Sequence, residues 1–146
     1  NAGLAVGVYH YSYAMNEQHA AEEAEFVANT LNDAGLTVDK LPMGVWFDME
    51  DADGYKERHG RFTRQEITNI CSVFINYMWR NGYTNTGLYA NLDWLANHIY
   101  VDQLGGCAVW AAQYNSKLDY EGATIWQYTD SENIEGQLFD GNVTLK

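Results

Sequence analysis

Two carboxylates two positions apart, Asp48 and Glu50, close the segment Met43-Gly44-Val45-Trp46-Phe47-Asp48-Met49-Glu50. Side chains of a strand alternate faces, so Met43, Val45, Phe47 and Met49 fall on one side and Gly44, Trp46, Asp48 and Glu50 on the other. The first set is suited to packing; the second ends in a pair of acids about 7 Å apart along the backbone. Two negative charges this close, beside an apolar wall such as Trp46, raise the proton affinity of one carboxyl so that it can act as an acid near neutrality. Paired carboxyls of this kind suit glycosidic bond cleavage, one as general acid and the other as base, nucleophile or electrostatic stabiliser. Asp51, Asp53 and Glu57 follow and read as helix caps or solvated loop residues. Asp48 and Glu50 do not, because a passive residue on a strand this apolar would more cheaply be apolar itself.

The run D-x-E-D-x-D-G also has the look of an oxygen-rich cation loop, but its register fails for an EF-hand. With Gly54 at the sixth position, the first falls on Met49 and the twelfth on Gly60, and neither supplies a side-chain ligand. A divalent ion held by Asp48, Glu50 and a distant residue, as in a metal-dependent phosphodiesterase of barrel fold, is the weaker alternative. The four histidines, His10, His19, His59 and His98, share no ligand spacing, and His10 reads as a satisfied structural residue. No metal and no cofactor is expected. Cys71 and Cys107 stand far apart with no C-x-x-C and read as two buried free thiols. Nucleophile motifs such as G-x-S-x-G and phosphate loops such as G-x-G-x-x-G are absent from the sequence.

Aromatic residues make up 14% of the chain, with 5 Trp and 11 Tyr, and many fall at predicted strand ends: Tyr9, Tyr11, Tyr89, Trp110, Tyr114, Trp126 and Tyr128. Flat rings with a polar handle suit stacking on sugars. Aromatic strands are also simply good strands, so fewer than half of these are expected to touch ligand, Trp110 and Tyr89 foremost.

The elements that position these groups alternate. Leu4–Tyr13 is β-rich, with Tyr9, Tyr11 and Tyr13 on one face and His10 and Ser12 on the other. Asn16 is placed to cap a helix whose Ala20, Ala24, Val27, Ala28 and Leu31 recur at helical spacing until Gly35. Pro42 then precedes the Met43–Glu50 strand. Thr63 and Glu66 form a capping-box sequence for a second helix with the stripe Ile67, Ile70, Cys71, Phe74, Ile75 and Met78, ended by Gly82. Thr86–Ala90, Cys107–Gln113 and Ala123–Tyr128 read as further strands, and Asn91 caps a brief helix carrying Trp94 and Leu95. Alternating strands and helices imply a mostly parallel sheet, and an acid-tipped strand fits a closed barrel of TIM-like type better than an open sheet.

Length and charge narrow the function. The chain of 146 residues is one domain's worth, and 47% hydrophobic content with 19% charged is ample for a packed core. A formal charge of -12, from 20 acidic against 8 basic residues with no Lys/Arg cluster, makes nucleic acid and anionic membranes poor partners. No apolar run approaches the roughly 20 residues that span a bilayer. The start at Asn1, without methionine or a signal-like segment, leads to the expectation that this is a piece of something longer.

Six ordered pieces carry a family resemblance: G-V-Y-H-Y (Gly7 to Tyr11), W-F-D-M-E (Trp46 to Glu50), G-L-Y-A-N (Gly87 to Asn91), V-W-A-A-Q-Y (Val109 to Tyr114), I-W-Q-Y-T (Ile125 to Thr129) and F-D-G-N-V (Phe139 to Val143). Together they resemble the glycoside hydrolase family 25 lysozymes. The resemblance implies an α/β fold, a modified TIM-like (β/α) barrel, and cleavage of the β-1,4 bond between N-acetylmuramic acid and N-acetylglucosamine in bacterial peptidoglycan. It implies Glu50 as general acid, Asp48 as its acidic partner, and Asp140 as a further acidic residue that periodicity alone reads as a turn aspartate. Tyr9, Tyr11, Tyr89, Trp110, Tyr114 and Gln127 are assigned to substrate binding. Such lysozymes open with a strand bearing an aspartate in a D-V-S-like context and a further β/α unit, and the first strand here resembles their third. The expectation is therefore a single catalytic domain over 1–146 whose barrel is incomplete at its N-terminus, with exposed sheet edges open to self-association. Peptidoglycan glycan strands are the implied partner, and the implied place of action is secreted, cell-wall associated or that of a phage endolysin. A non-catalytic peptidoglycan-binding module is the alternative of a different class.

Overall fold

The computed structural model describes residues 3–145. Helix α1 spans Glu17–Asp33, and Asn16 begins it by accepting the His19 backbone N–H at its side chain. Its buried residues are the expected Ala20, Ala24, Val27, Ala28 and Leu31, small enough to let the helix lie close to its neighbour. Helix α2, Tyr55–His59, is a single turn that periodicity did not reveal. Helix α3, Arg64–Arg80, starts at the predicted capping box, with Thr63 and Glu66 each satisfying the other's backbone N–H. Its stripe from Ile67 to Met78 is buried as expected. A wide-turned π helix, Trp94–His98, follows Asn91, whose side chain accepts the Trp94 N–H.

The strands are β1 (Val8–Tyr11), β2 (Val45–Asp48), β3 (Thr86–Asn91), β4 (Val109–Ala112), β5 (Ile125–Ile134) and β6 (Gln137–Thr144). They form one sheet in chain order, parallel from β1 to β5 and antiparallel between β5 and β6. Residues from all six strands line one cavity, so the sheet is curled. It is the open half of a TIM-like barrel, with β1 and β6 as its outer strands. Strands β1, β2 and β4 are shorter than the sequence pattern suggests. Strand β5 is longer, and β6 was not anticipated as a strand: Asp140 stands within it rather than in a turn. No described helix is long and apolar enough to cross a membrane.

The core lies between the outer face of the sheet and helices α1 and α3. Val45, Phe47 and Met49 are fully buried there, and the Phe47 ring stacks on Phe74 of α3 at 4.1 Å. His10 enters the same layer, stacked on Phe74 with centroids 5.8 Å apart and its Nε2 3.2 Å from Glu23 Oε2. It is a structural residue on the face turned away from the cavity. Cys71 is buried and Cys107 half-buried, both as free thiols whose pKa burial raises.

Candidate active site

The parallel register sets residues of neighbouring strands side by side. Tyr11 pairs with Asp48, Asp48 with Tyr89, and Tyr89 with Trp110, so four side chains form one row across the inner face. One level deeper, Tyr9 pairs with Trp46 and Trp46 with Gly87. A Cβ at Gly87 would meet the Trp46 ring at 2.6 Å, so glycine there is what lets the indole lie flat against β3. Trp46 is 5% exposed, donates its Nε1 to Met43 O at 2.6 Å, and meets Trp110 edge-on at 5.6 Å. This is the apolar wall expected beside the acids, and the structure places it beneath them as a floor.

Above it opens a cavity of about 330 Å³. Asp48 and Glu50 come from the end of β2, Tyr9 and Tyr11 from β1, Tyr89 from β3, and Trp110 and Tyr114 from β4 and its exit. Gln127 of β5 and Asp140 of β6 complete the wall. All nine residues singled out in the sequence thus share one space. Of the seven aromatic residues weighed there, Trp126 and Tyr128 lie outside it: Trp126 Nε1 donates to Gln113 O at 2.8 Å, and Tyr128 reaches Glu132 at 3.2 Å. A larger hollow of about 600 Å³ sits between the starts of α1 and α3. Its acids are engaged elsewhere, Glu66 in the capping box and Glu17 with Asn69 at 3.0 Å, so it offers no comparable chemistry.

Asp48 is 6% exposed, and its Oδ1 is buried with no donor aimed at it. A buried carboxylate oxygen without a partner strongly disfavours the charged form. Burial, the neighbouring Glu50 charge and a hydrogen bond shared with Glu50 push the Asp48 pKa up to about 8, against a smaller opposing pull from Lys56. Burial also raises Glu50. The two titrate as a unit, and the unit keeps a proton at neutrality. Glu50, two residues past the end of β2 and half-buried, is the member that faces the open cavity. Asp140 is exposed on its strand.

Hydrogen bonds fix the walls. Tyr89 donates to Gln127 Oε1 at 2.7 Å and Tyr114 to the same oxygen at 3.3 Å, locking buried Gln127 between two hydroxyls. Trp110 Nε1 donates to Asn142 Oδ1 at 2.8 Å, which ties β4 to the hairpin. Burial raises the Tyr89 hydroxyl pKa, and burial together with Asp53 pushes Tyr11 up to about 12, so both are neutral donors over the working range of pH. A second hollow of about 470 Å³ adjoins the first, shares Glu50, Tyr89 and Tyr114 with it, and adds Asn91, Asp93 and Gln113.

Asp53, Lys56 and Glu23 also shape the site, with no signal in the sequence. Asp51, read as a cap or loop residue, holds the start of α2, accepting the Lys56 and Glu57 N–H groups at 2.7 and 2.9 Å. Asp53 does more than decorate a loop: it accepts the Tyr13 hydroxyl at 2.9 Å and the Tyr11 hydroxyl at 3.4 Å, bracing one wall. Lys56 is 2% exposed beneath the site, and Glu23 accepts the Ser12 hydroxyl and the Tyr13 N–H, each at 2.8 Å. No local motif announces them, because each acts on a partner brought near by the fold: Asp53 on Tyr11 and Tyr13, Glu23 on Ser12 and Tyr13, and Lys56 on Ser12. Among the described residues no three His, Cys, Asp or Glu side chains are grouped to hold a metal ion.

The family model described as Glycosyl hydrolases family 25 matches residues 1–137. Among solved structures, the modular autolysin LytC from Streptococcus pneumoniae in complex with a synthetic peptidoglycan ligand superposes with a TM-score of 0.81 at 24% identity, over 96% of this chain and 33% of that one. The Clostridium perfringens spore cortex lytic enzyme SleM gives 0.73 at 18% identity, over 96% of this chain and 49% of that one. The muramidase from Trichobolus zukalii gives 0.69 at 20% identity, over 99% and 70%. The likeness to these structures is one of fold, and this chain spans about a third of the autolysin's length. No curated protein sequence matches.

Proposed function

This chain belongs to glycosyl hydrolases family 25, and on that premise we propose that it is the catalytic domain, over 1–146, of an enzyme that hydrolyses the β-1,4 bond between N-acetylmuramic acid and N-acetylglucosamine in bacterial peptidoglycan. The observation that carries the reading is the carboxyl pair itself: Asp48 buried without a donor for Oδ1, beside a half-buried Glu50, at the mouth of a polar cavity walled by aromatic rings. A glycosidic bond breaks when its leaving oxygen is protonated and the positive charge on the sugar is met by a negative one. In the free chain the shared proton rests on Asp48 and is hydrogen-bonded to Glu50; passing it to Glu50, the accessible member, lets Glu50 protonate the leaving oxygen and leaves Asp48 ionised. Asp48, then charged and helped by Asp140, stabilises positive charge on the sugar or on a participating acetamido group. Tyr9, Tyr11, Tyr89, Trp110 and Tyr114, five of the seven strand-end aromatic residues rather than fewer than half, offer ring faces and, from the tyrosines, hydroxyls, and Gln127 an amide held by two tyrosines.

The substrate places the protein at the cell wall, as a secreted or wall-associated enzyme or a phage endolysin. The outer edges of the sheet, along β1 and β6, are the surfaces through which copies of the chain would associate, and sedimentation across a concentration series tests it. The test of the activity is digestion of purified walls by the intact gene product, borohydride reduction and mass spectrometry of the fragments. New reducing ends on N-acetylmuramic acid are expected. Ends on N-acetylglucosamine, or binding with no release of fragments, would overturn the proposal.

A further inference from the structure

Lys56 has no part in the roles given above, yet it is among the largest fully buried side chains of the molecule. A buried ammonium ordinarily pairs with a carboxylate or loses its charge. None of the described ion pairs involves Lys56. Its Nζ instead donates to two main-chain carbonyls, that of Ser12 just beyond β1 and that of Glu50 just beyond β2, the latter at 3.0 Å. The ammonium also lies 5.7 Å from the centroid of the Tyr11 ring, which lines the cavity. The titratable groups that face it come from every neighbouring element: Glu23 from α1, Asp48 from β2 with Glu50 just beyond it, Asp51 and Asp53 from the loop before α2, and the Cys71 thiol from α3. Burial lowers its own proton affinity, and these carboxylates pull it back up.

The arrangement has a reason in the chain path. Asp51 caps α2 and so turns the chain back beneath the strand it has just left. That single turn delivers Lys56 behind the ends of β1 and β2. Ser12 is fixed from the other side by Glu23, so the lysine joins two elements already held.

We infer that Lys56 is a positioning residue: its ammonium ties the end of β1 to the end of β2, fixes where Glu50 stands, and places positive charge behind the Asp48 and Glu50 carboxyls. Its function in the reaction rests on the hydrolase reading above; its effect on the pair does not. A cation behind the pair favours the ionised member, so that one carboxyl can be charged while the other keeps its proton. Without it the pair would hold protons to higher pH, and Glu50 would lose its backbone anchor.

The test follows the pair by carboxyl ¹³C resonances and Lys56 by its ammonium ¹⁵N resonance, over about pH 4 to about pH 10. In the unmodified chain, the Lys56 resonance is expected to move at the same pH as the Asp48/Glu50 step. A Lys56 signal flat through that step overturns the inference, and this measurement needs no variant. Lys56→Gln keeps an N–H donor and removes the charge; it is expected to raise the upper midpoint of the pair by about one pH unit. Lys56→Met removes both and is expected to shift the Glu50 amide resonance as well. A folded Lys56→Gln chain with unchanged midpoints contradicts the role. None of these readouts requires turnover, so a shifted midpoint in a chain that cuts no glycan would sink the hydrolase reading alone.

Discussion

Strand β2 and the β5–β6 hairpin each bring an acid to the same cavity, by opposite means. Every residue of β2 is buried, on both faces, and its tip is held from behind by Lys56. The hairpin beyond Thr129 is almost wholly exposed, its pairing interrupted by register shifts between Gln127 and Thr129 and between Thr129 and Glu132. Asp48 therefore has its proton affinity set by burial, whereas Asp140 stands in water on an arm tied to the barrel by contacts such as the Trp110 to Asn142 hydrogen bond. One acid is poised by packing and the other merely presented. Charge that develops during a reaction is met most strongly by groups in the first kind of setting.

The difference predicts unequal costs. Glu50→Gln should lower wall hydrolysis by about 10²–10⁴-fold, since it removes the transferable proton. Asp140→Asn, measured by the same rate of wall hydrolysis, should cost about tenfold or less; equal losses would erase the distinction between the two regions. Stability should divide in the same way. Phe47→Ala, which opens a hole against Phe74, should cost about 3–5 kcal/mol in denaturant unfolding, while Phe139→Ala on the hairpin should stay within about 0.5 kcal/mol.

Asp48→Asn gives a smaller and more telling effect. Because the folded chain raises the Asp48 pKa above its unfolded value, the fold is most stable while that carboxyl is neutral in both states, and stability declines as pH rises through the window up to about 8. The asparagine variant should flatten that decline and gain about 1–2 kcal/mol at pH about 8, seen as a rise in Tm of a few degrees, while losing activity. A variant less stable than its parent at that pH would show that Asp48 is held by partners rather than stranded.

The same contrast explains what could be read from sequence. In β2 the alternation of Val45, Trp46, Phe47 and Asp48 is legible because each face has its own chemistry, packing outside and floor plus acid inside. The stripes of α1 and α3 and the Thr63/Glu66 box were legible for the same reason: one face is buried and the ends are capped. The outer half of β5 reads T-D-S-E-N, polar on both faces, so no period marks it as a strand. Its turn adds no clear signal, since Glu135 at φ 52 takes a position that Asn or Gly usually fills ahead of Gly136. Asp140 was accordingly reached only through the resemblance of F-D-G-N-V to a family. Lys56 carried no signal at all, because its burial depends on where a five-residue helix folds back, a property of tertiary structure and not of local pattern.

Asp48 and Glu50 hold one proton between them at neutral pH, and carboxyl ¹³C titration of the unmodified chain measures this directly. Two coupled steps are predicted, the upper one near 8, with the chain folded throughout. Two independent carboxyls, both fully ionised by about pH 5 like ordinary surface acids, would contradict it.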